Sequence, residues 1–218
     1  MTTGFRVQAV VFDKDGVLAD SEAINIRSAF DVFRAHGYEL RTGDEAGIVG
    51  KHPTDYVPIL ARKFGFDEAE QRRIIAEQDV IYSRFWRERG RMFDGAREAL
   101  DAVRRKGLGV GLATSSSRRE VEAFLERFDL ARCFDVTLSL DDVTRAKPDP
   151  EIYFLAAQQL KIAPQEMLVV EDSEHGVRAA KSSGAACVAV RTPHVPLERI
   201  AMADAHVDTL AEMTALLR

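Results

Sequence analysis

Cysteine is nearly missing from this chain: only Cys133 and Cys187 stand among 218 residues. Two thiols in separate apolar settings cannot build a disulfide framework, so they are expected to be buried and reduced, as in a cytoplasmic protein. Zinc-like spacing is missing as well. The five histidines, at 36, 52, 175, 194 and 206, fall at metal-ligand intervals neither with one another nor with the cysteines. No apolar run approaches the length of a membrane span. The short apolar stretch near the N-terminus runs straight into Asp13-Lys14-Asp15, unlike a signal peptide. Nor is there an excess of positive charge. The net charge of −5 argues against a nucleic-acid binder driven by phosphate contacts. The arginines at 84, 87, 89 and 91, around Phe85 and Trp86, are interrupted by Glu88 and read as a solvated helix face. Internal repeats and low-complexity segments are absent.

What remains is an ordinary globular balance, 46% apolar and 30% charged, long enough for one large domain or two modest ones. Val7 to Phe12 reads as a buried strand, short and β-branched. If the chain stays extended for two further residues, Asp13 and Asp15 point one way and Lys14 the other. Gly16 then permits a turn. Helical patterning follows without a convincing strand: Ser21 to His36, Pro53 to before Gly65, and Asp67 to about Arg89, the last with Ile74, Ile75, Ile81 and Phe85 on its apolar side. From Met92 strands and helices alternate. Helices are expected at 96–106, 118–128, 150–161 and 174–183, and strands at 109–113, 136–138, 168–170 and 187–190. A short terminal strand and helix finish the chain. This pattern predicts an α/β fold with a mostly parallel sheet covered by helices on both faces. Residues 1–19 and 92–218 then form the core, and 20–91 an inserted helical domain.

Four strands end in polar residues at their carboxyl ends, which share one edge in a parallel sheet. These are Asp13 and Asp15; Thr114 to Ser117; Lys147, beyond the weak strand at 136–138; and Glu171 with Asp172. Taken singly, most have a structural reading. Asp172 or Ser173 can cap a helix, Thr114 to Ser117 can be a capping stretch, and Asp149-Pro150 is a helix start. Pro148 pushes Lys147 toward extended backbone. Jointly they suggest a site. Two like charges about 4 Å apart cost on the order of 4 kcal/mol at an effective dielectric of 20, so carboxylates 13, 15, 171 and 172 at one mouth require a cation. Their all-oxygen donor set favours magnesium. A hydroxyl, backbone amides at a helix start and a lysine make a phosphate site. Magnesium beside a phosphate and a free carboxylate suggests phosphoryl transfer with the carboxylate as nucleophile.

In this order, FDKDGVLADSE (12–22), LATSSS (112–117), AKPDPEIY (146–153) and VVEDSEHGVRAAKSSGA (169–185) resemble the four motifs of the haloacid dehalogenase-like superfamily. The helical insert is similar to the small cap of its β-phosphoglucomutase-like and phosphoglycolate-phosphatase-like branch. The resemblance implies a Rossmann-like core with an inserted α-helical cap domain. It implies Asp13 as nucleophile, Asp15 as acid and then base, and Thr114 and Lys147 as holders of the phosphoryl group. Magnesium would bind Asp13, the backbone carbonyl of Asp15 and Asp172, with Glu171 adjacent. Ser115, Ser116, Glu22 and the cap-loop residues Gly50, Lys51 and His52 are candidate substrate contacts, although a plain surface lysine fits Lys51 equally well.

Two positions depart from the family pattern. Lys14 replaces the apolar residue usual between the two acids, and Pro53 stands where mutase-type sequences carry an arginine for a second phosphate. The reading is therefore a magnesium-dependent phosphatase of a small sugar or metabolite phosphate, acting through an aspartyl-phosphate. A sugar phosphomutase is the alternative. A dehalogenase is disfavoured because that chemistry does not require Asp15 or magnesium, and a receiver module because its motif order differs. The expected partner is a small phosphorylated metabolite, with no nucleic acid and no membrane, and the assembly a monomer or small homo-oligomer.

Overall fold

The computed structural model describes residues 4–49, 51–193 and 195–218. Its elements, in chain order, are β1 (Ala9–Phe12), α1 (Glu22–Ala35), α2 (Pro53–Phe64), α3 (Glu68–Arg89), α4 (Ala96–Arg105), β2 (Gly109–Ala113), α5 (Arg118–Phe128), β3 (Val136–Leu138), α6 (Glu151–Leu160), β4 (Met167–Glu171), α7 (Glu174–Ser183), β5 (Ala186–Val190), β6 (Ala205–Val207) and α8 (Leu210–Ala215). The six strands pair in parallel in the order β3-β2-β1-β4-β5-β6. This is a Rossmann-like α/β architecture, and the strand order reverses between β1 and β4. A crevice opens at that switch point, outside the carboxyl ends of the strands.

Two-residue alternation divides the buried strand residues between two apolar layers. Val10 and Phe12 of β1, with Leu168, Val170, Val188 and Val190, pack against α4, α5 and α8. Val11, with Val169, Cys187 and Ala189, packs against α6 and α7. Cys187 is buried as expected, but Cys133 is only half-buried. Among the described residues no helix is long and apolar enough to cross a membrane.

Between β1 and β2 lie α1, α2 and α3, which build a third apolar cluster around Phe33, Ile48, Tyr56 and Ile74. Pro53 occupies the first turn of α2, and Asp67 caps α3 through Glu70 N. The buried stripe of α3 differs from the one its sequence predicts. Ile74, Gln78, Tyr82 and Trp86 point inward, joined by Ser83, whereas Ile75, Ile81 and Phe85 are only partly buried. The reason is that α3 serves two neighbours. Its first half packs on α1 and α2, while Trp86 meets Phe124 of α5 edge-on, with ring centroids 5.6 Å apart. The polar members of the stripe, Gln78 and Tyr82, find hydrogen-bond partners there. The arginines at 84, 87, 89 and 91 are solvent-facing, as their pattern predicts.

Candidate active site

β1 stops at Phe12, three residues short of an extended run through Asp15. Asp13 N still donates to Val170 O at 2.9 Å. The chain then bends and turns, with Leu18 N and Ala19 N both donating to Lys14 O. Asp15 consequently escapes the strict alternation of the strand. Lys14 keeps it, on the Phe12 side, and is fully buried. Its Nζ donates to Asp15 Oδ1 at 2.7 Å and lies 5.3 Å from the ring centroids of both Tyr82 and Trp86. Lys14 therefore pairs with its own chain neighbour, Asp15.

On the other side of the strand, Lys147 gathers the motifs. Its Nζ donates to Asp13 Oδ1 at 2.7 Å, Glu171 Oε1 at 2.6 Å and Ala113 O at 3.0 Å. The segment before α6 turns at Lys147–Pro148, whose peptide is cis, where extended chain was expected. Glu171 Oε1 also accepts from Tyr153 Oη at 2.9 Å, while its Oε2 accepts from Asp172 N, Ser173 N and Ser173 Oγ. Ser173 caps α7 through Gly176 N. A Cβ on Gly176 would lie 1.8 Å from Glu171 Oε1, so only glycine lets the first turn of α7 close over this carboxylate.

Asp13, Glu171 and Asp172 each offer an oxygen within 4.8 Å of the others. Gly16, at φ +77°, makes room for Asp172, whose Oδ2 lies 1.9 Å from where a Cβ would stand. Burial, reinforced by Glu171, Asp13 and Asp15, pushes the Asp172 carboxyl well above the usual range. Burial likewise pushes Asp13 up to about 7, with Lys147 opposing. At Glu171 burial acts upward too, but Lys147 and the hydrogen bonds outweigh it and hold the carboxyl low. Lys147 loses hydration, yet Asp13 and Glu171 raise it well above the ordinary lysine value. One ammonium thus faces three acids. The all-oxygen donor set and its surplus negative charge fit a hard divalent cation such as magnesium.

Asp15 completes this edge. Its Oδ1 accepts from Lys14 and, at 3.0 Å, from Tyr82 Oη; its Oδ2 accepts from Ser116 Oγ at 2.7 Å. Burial opposes ionisation of Asp15, but Lys14 and Ser116 outweigh it and lower the carboxyl below its ordinary value. Thr114 is buried, and its Oγ1 accepts from Ser116 N at 3.1 Å.

A cavity of about 600 Å³ joins these groups. Asp13, Asp15, Thr114, Ser115, Ser116, Lys147 and Asp172 line its sheet side, and Glu22, Asn25, Lys51, His52 and Asp55 its helical side. Glu171 lies behind this lining. Lys51 is exposed, and its Nζ donates to Gly47 O at 3.1 Å. His52 caps α2 through Thr54 N, and burial lowers its imidazole pKa. Gly50, also expected to touch substrate, lies outside the described residues. Sequence reasoning missed Tyr153 and Tyr82 as partners of the acids. Tyr153 ends the quoted AKPDPEIY segment, in the first turn of α6, but Tyr82 carries no local signal.

The model of the haloacid dehalogenase-like hydrolases matches residues 7–184. The chain belongs to that family. This haloacid dehalogenase-like hydrolase is an enzyme of the phosphoric monoester hydrolase type. It is 35% identical to the phosphorylated carbohydrates phosphatase of Thermotoga maritima over 82% of each chain. To hexitol phosphatase B of Escherichia coli it is 28% identical over 99% of its own length and 98% of the relative's. The crystal structure of CbbY from Rhodobacter sphaeroides in complex with phosphate superposes with a TM-score of 0.82 at 26% identity, covering 95% of this chain and 96% of that one.

Proposed function

We propose that this hydrolase is a magnesium-dependent phosphatase of a small phosphorylated carbohydrate or related metabolite, working through an aspartyl-phosphate on Asp13. The observation that carries the reading is the convergence of Lys147 and three carboxylates where β1 and β4 end. Supporting it are the relatives named for phosphorylated carbohydrates and hexitols.

Asp13 attacks phosphorus and the sugar oxygen leaves, taking a proton from Asp15, whose carboxyl must first be protonated against the pull of Lys14 and Ser116. Water then attacks the aspartyl-phosphate and gives its proton back to Asp15, which releases phosphate and restores Asp13. Lys147 and Thr114 hold the phosphoryl oxygens, and Ser115 and Ser116 line the same end. Asp13, Asp172 and the Asp15 carbonyl would hold magnesium, with Glu171 orienting Lys147 from behind; the ion supplies charge neutralisation for the transferring group. Residues 20–91 act as a cap that closes the cavity, with Glu22, Lys51 and His52 toward the sugar.

The second reading, a sugar phosphomutase, needs a grip for a second phosphate. Among the described residues lining the cavity from 20–91, Lys51 is the one lysine or arginine, and it is exposed. Hydrolysis is therefore favoured. A panel of sugar and polyol phosphates, assayed for free phosphate with magnesium and with EDTA, tests the proposal. Release that depends on magnesium and is abolished by Asp13→Asn in a folded protein is the expected result. Full activity in Asp13→Asn would refute the nucleophile. Isomerisation of β-glucose 1-phosphate without free phosphate, in the presence of a bisphosphate activator, would favour the mutase.

A further inference from the structure

Strand alternation places position 14 in the apolar layer of Phe12, Trp86 and Phe124, where an uncharged side chain would pack at no electrostatic cost. A lysine stands there instead, with no exposed surface. A buried ammonium carries a heavy desolvation penalty unless geometry and hydrogen bonds offset it. Here they do. Nζ donates to Asp15 Oδ1 at 2.7 Å, lies 3.4 Å from Tyr82 Oη and sits over the faces of Tyr82 and Trp86. Tyr82 Oη donates to the same Asp15 oxygen at 3.0 Å. Both aromatic residues belong to α3, and so to the insert, not to the sheet. Glu120 of α5 is the other acid buried nearby, but its Oε2 is taken by Ser117 N at 2.9 Å. The ammonium's direct ionic partner is Asp15.

We propose that Lys14 is a positioning residue: with Tyr82 it clamps Oδ1 of Asp15 from inside the protein, so that Oδ2, held by Ser116, is the oxygen presented to substrate. The orientation of the acid/base is thereby tied to α3, and through it to the packing of the insert on the core. This inference rests on the phosphatase reading and on the acid/base role of Asp15.

Leaving groups of different basicity separate a positioning role from a structural one. Nitrophenolate departs without a proton, whereas an alkoxide needs one. In Lys14→Met, kcat/KM for glycerol 2-phosphate should fall about 100-fold, the low end of what a positioned acid contributes. For p-nitrophenyl phosphate it should fall far less. A stoichiometric burst of nitrophenolate should also appear, because return of the proton from water then limits turnover. Tyr82→Phe, which keeps the ring, should move both readouts in the same direction by a smaller factor. Equal losses on the two substrates, or none, would overturn the inference and leave the phosphatase reading intact. A parent enzyme that hydrolyses neither ester would overturn both. If Lys14→Met does not fold, Tyr82→Phe decides alone, and a Tyr82→Phe protein without leaving-group discrimination rejects the clamp.

Discussion

Single residues at this edge are constrained from two directions. Gly16 must hold φ +77° and must also leave Asp172 its place, since a Cβ would stand 1.9 Å from Oδ2. Alanine therefore combines a strained backbone with displacement of a carboxylate. Misplacing a reacting constellation by about 1 Å can cost about 10²-fold in rate, and Gly16→Ala should lose turnover on that scale. Steady-state assays beside circular dichroism check this; a folded variant with parental kcat would contradict the spacing argument. Much at this scale was legible beforehand. Asp13, Glu171 and Asp172 stand at strand ends, Lys147 in the loop beyond β3, and all four meet at one edge. Tyr82 as a partner of Asp15 was not legible, because it lies 67 residues away and reaches the carboxylate only once α3 has docked.

At the scale of elements, boundaries follow local chemistry closely. β2, α5, β3 and α7 occupy the spans their patterns predict, each ended by a glycine, a cap or a polar cluster. Ser117 illustrates why. Its Oγ accepts from Glu120 N while Glu120 returns a bond to Ser117 N, and Asp79 of α3 also binds the hydroxyl. Ser117→Ala should cost about 1 kcal/mol, the usual worth of such a cap, measured as a lowered urea midpoint at constant slope. The inward face of α3 was less legible, because helical periodicity cannot tell which of two neighbours a helix will serve.

The helices that follow β1 also carry a pH signal. His36, at the end of α1, meets Glu70 Oε1 at 2.7 Å through Nδ1 and Glu77 Oε2 at 3.0 Å through Nε2. The Glu70 bond first, opposed by burial and then helped by Glu77, raises the imidazole above its ordinary 6.5. A folded value above the unfolded one means the protonated form is the stabilised one. Its contribution is complete below the unfolded value and disappears as pH climbs through the folded value. The stability gap between the parent and His36→Gln should therefore be widest near about pH 6 and narrow toward about pH 9, as denaturant melts at each pH can establish. A gap that widens with pH would reverse the assignment.

Across the whole molecule, the sheet brings charge together that the fold alone does not neutralise. Strand order reverses between β1 and β4, so their carboxyl ends deliver Asp13, Glu171 and Asp172 to one crevice with Lys147 as the cation among them. Burial raises both Asp13 and Asp172, which means their ionised forms are less favourable in the folded protein than in the unfolded chain. Without a divalent ion these groups work against folding near neutral pH. A cation bound only by the folded state shifts the balance back by RT ln(1 + [L]/Kd), about 2.7 kcal/mol at a hundred times Kd. Magnesium should therefore raise the melting temperature of EDTA-stripped protein in a saturable way, and calcium should compete for the same response. Asp172→Asn sharpens the test, because it removes both a repulsive charge and a ligand. It should melt higher than the parent in EDTA yet respond little to magnesium. A variant that melts lower in EDTA and keeps the full magnesium shift would place the cation elsewhere.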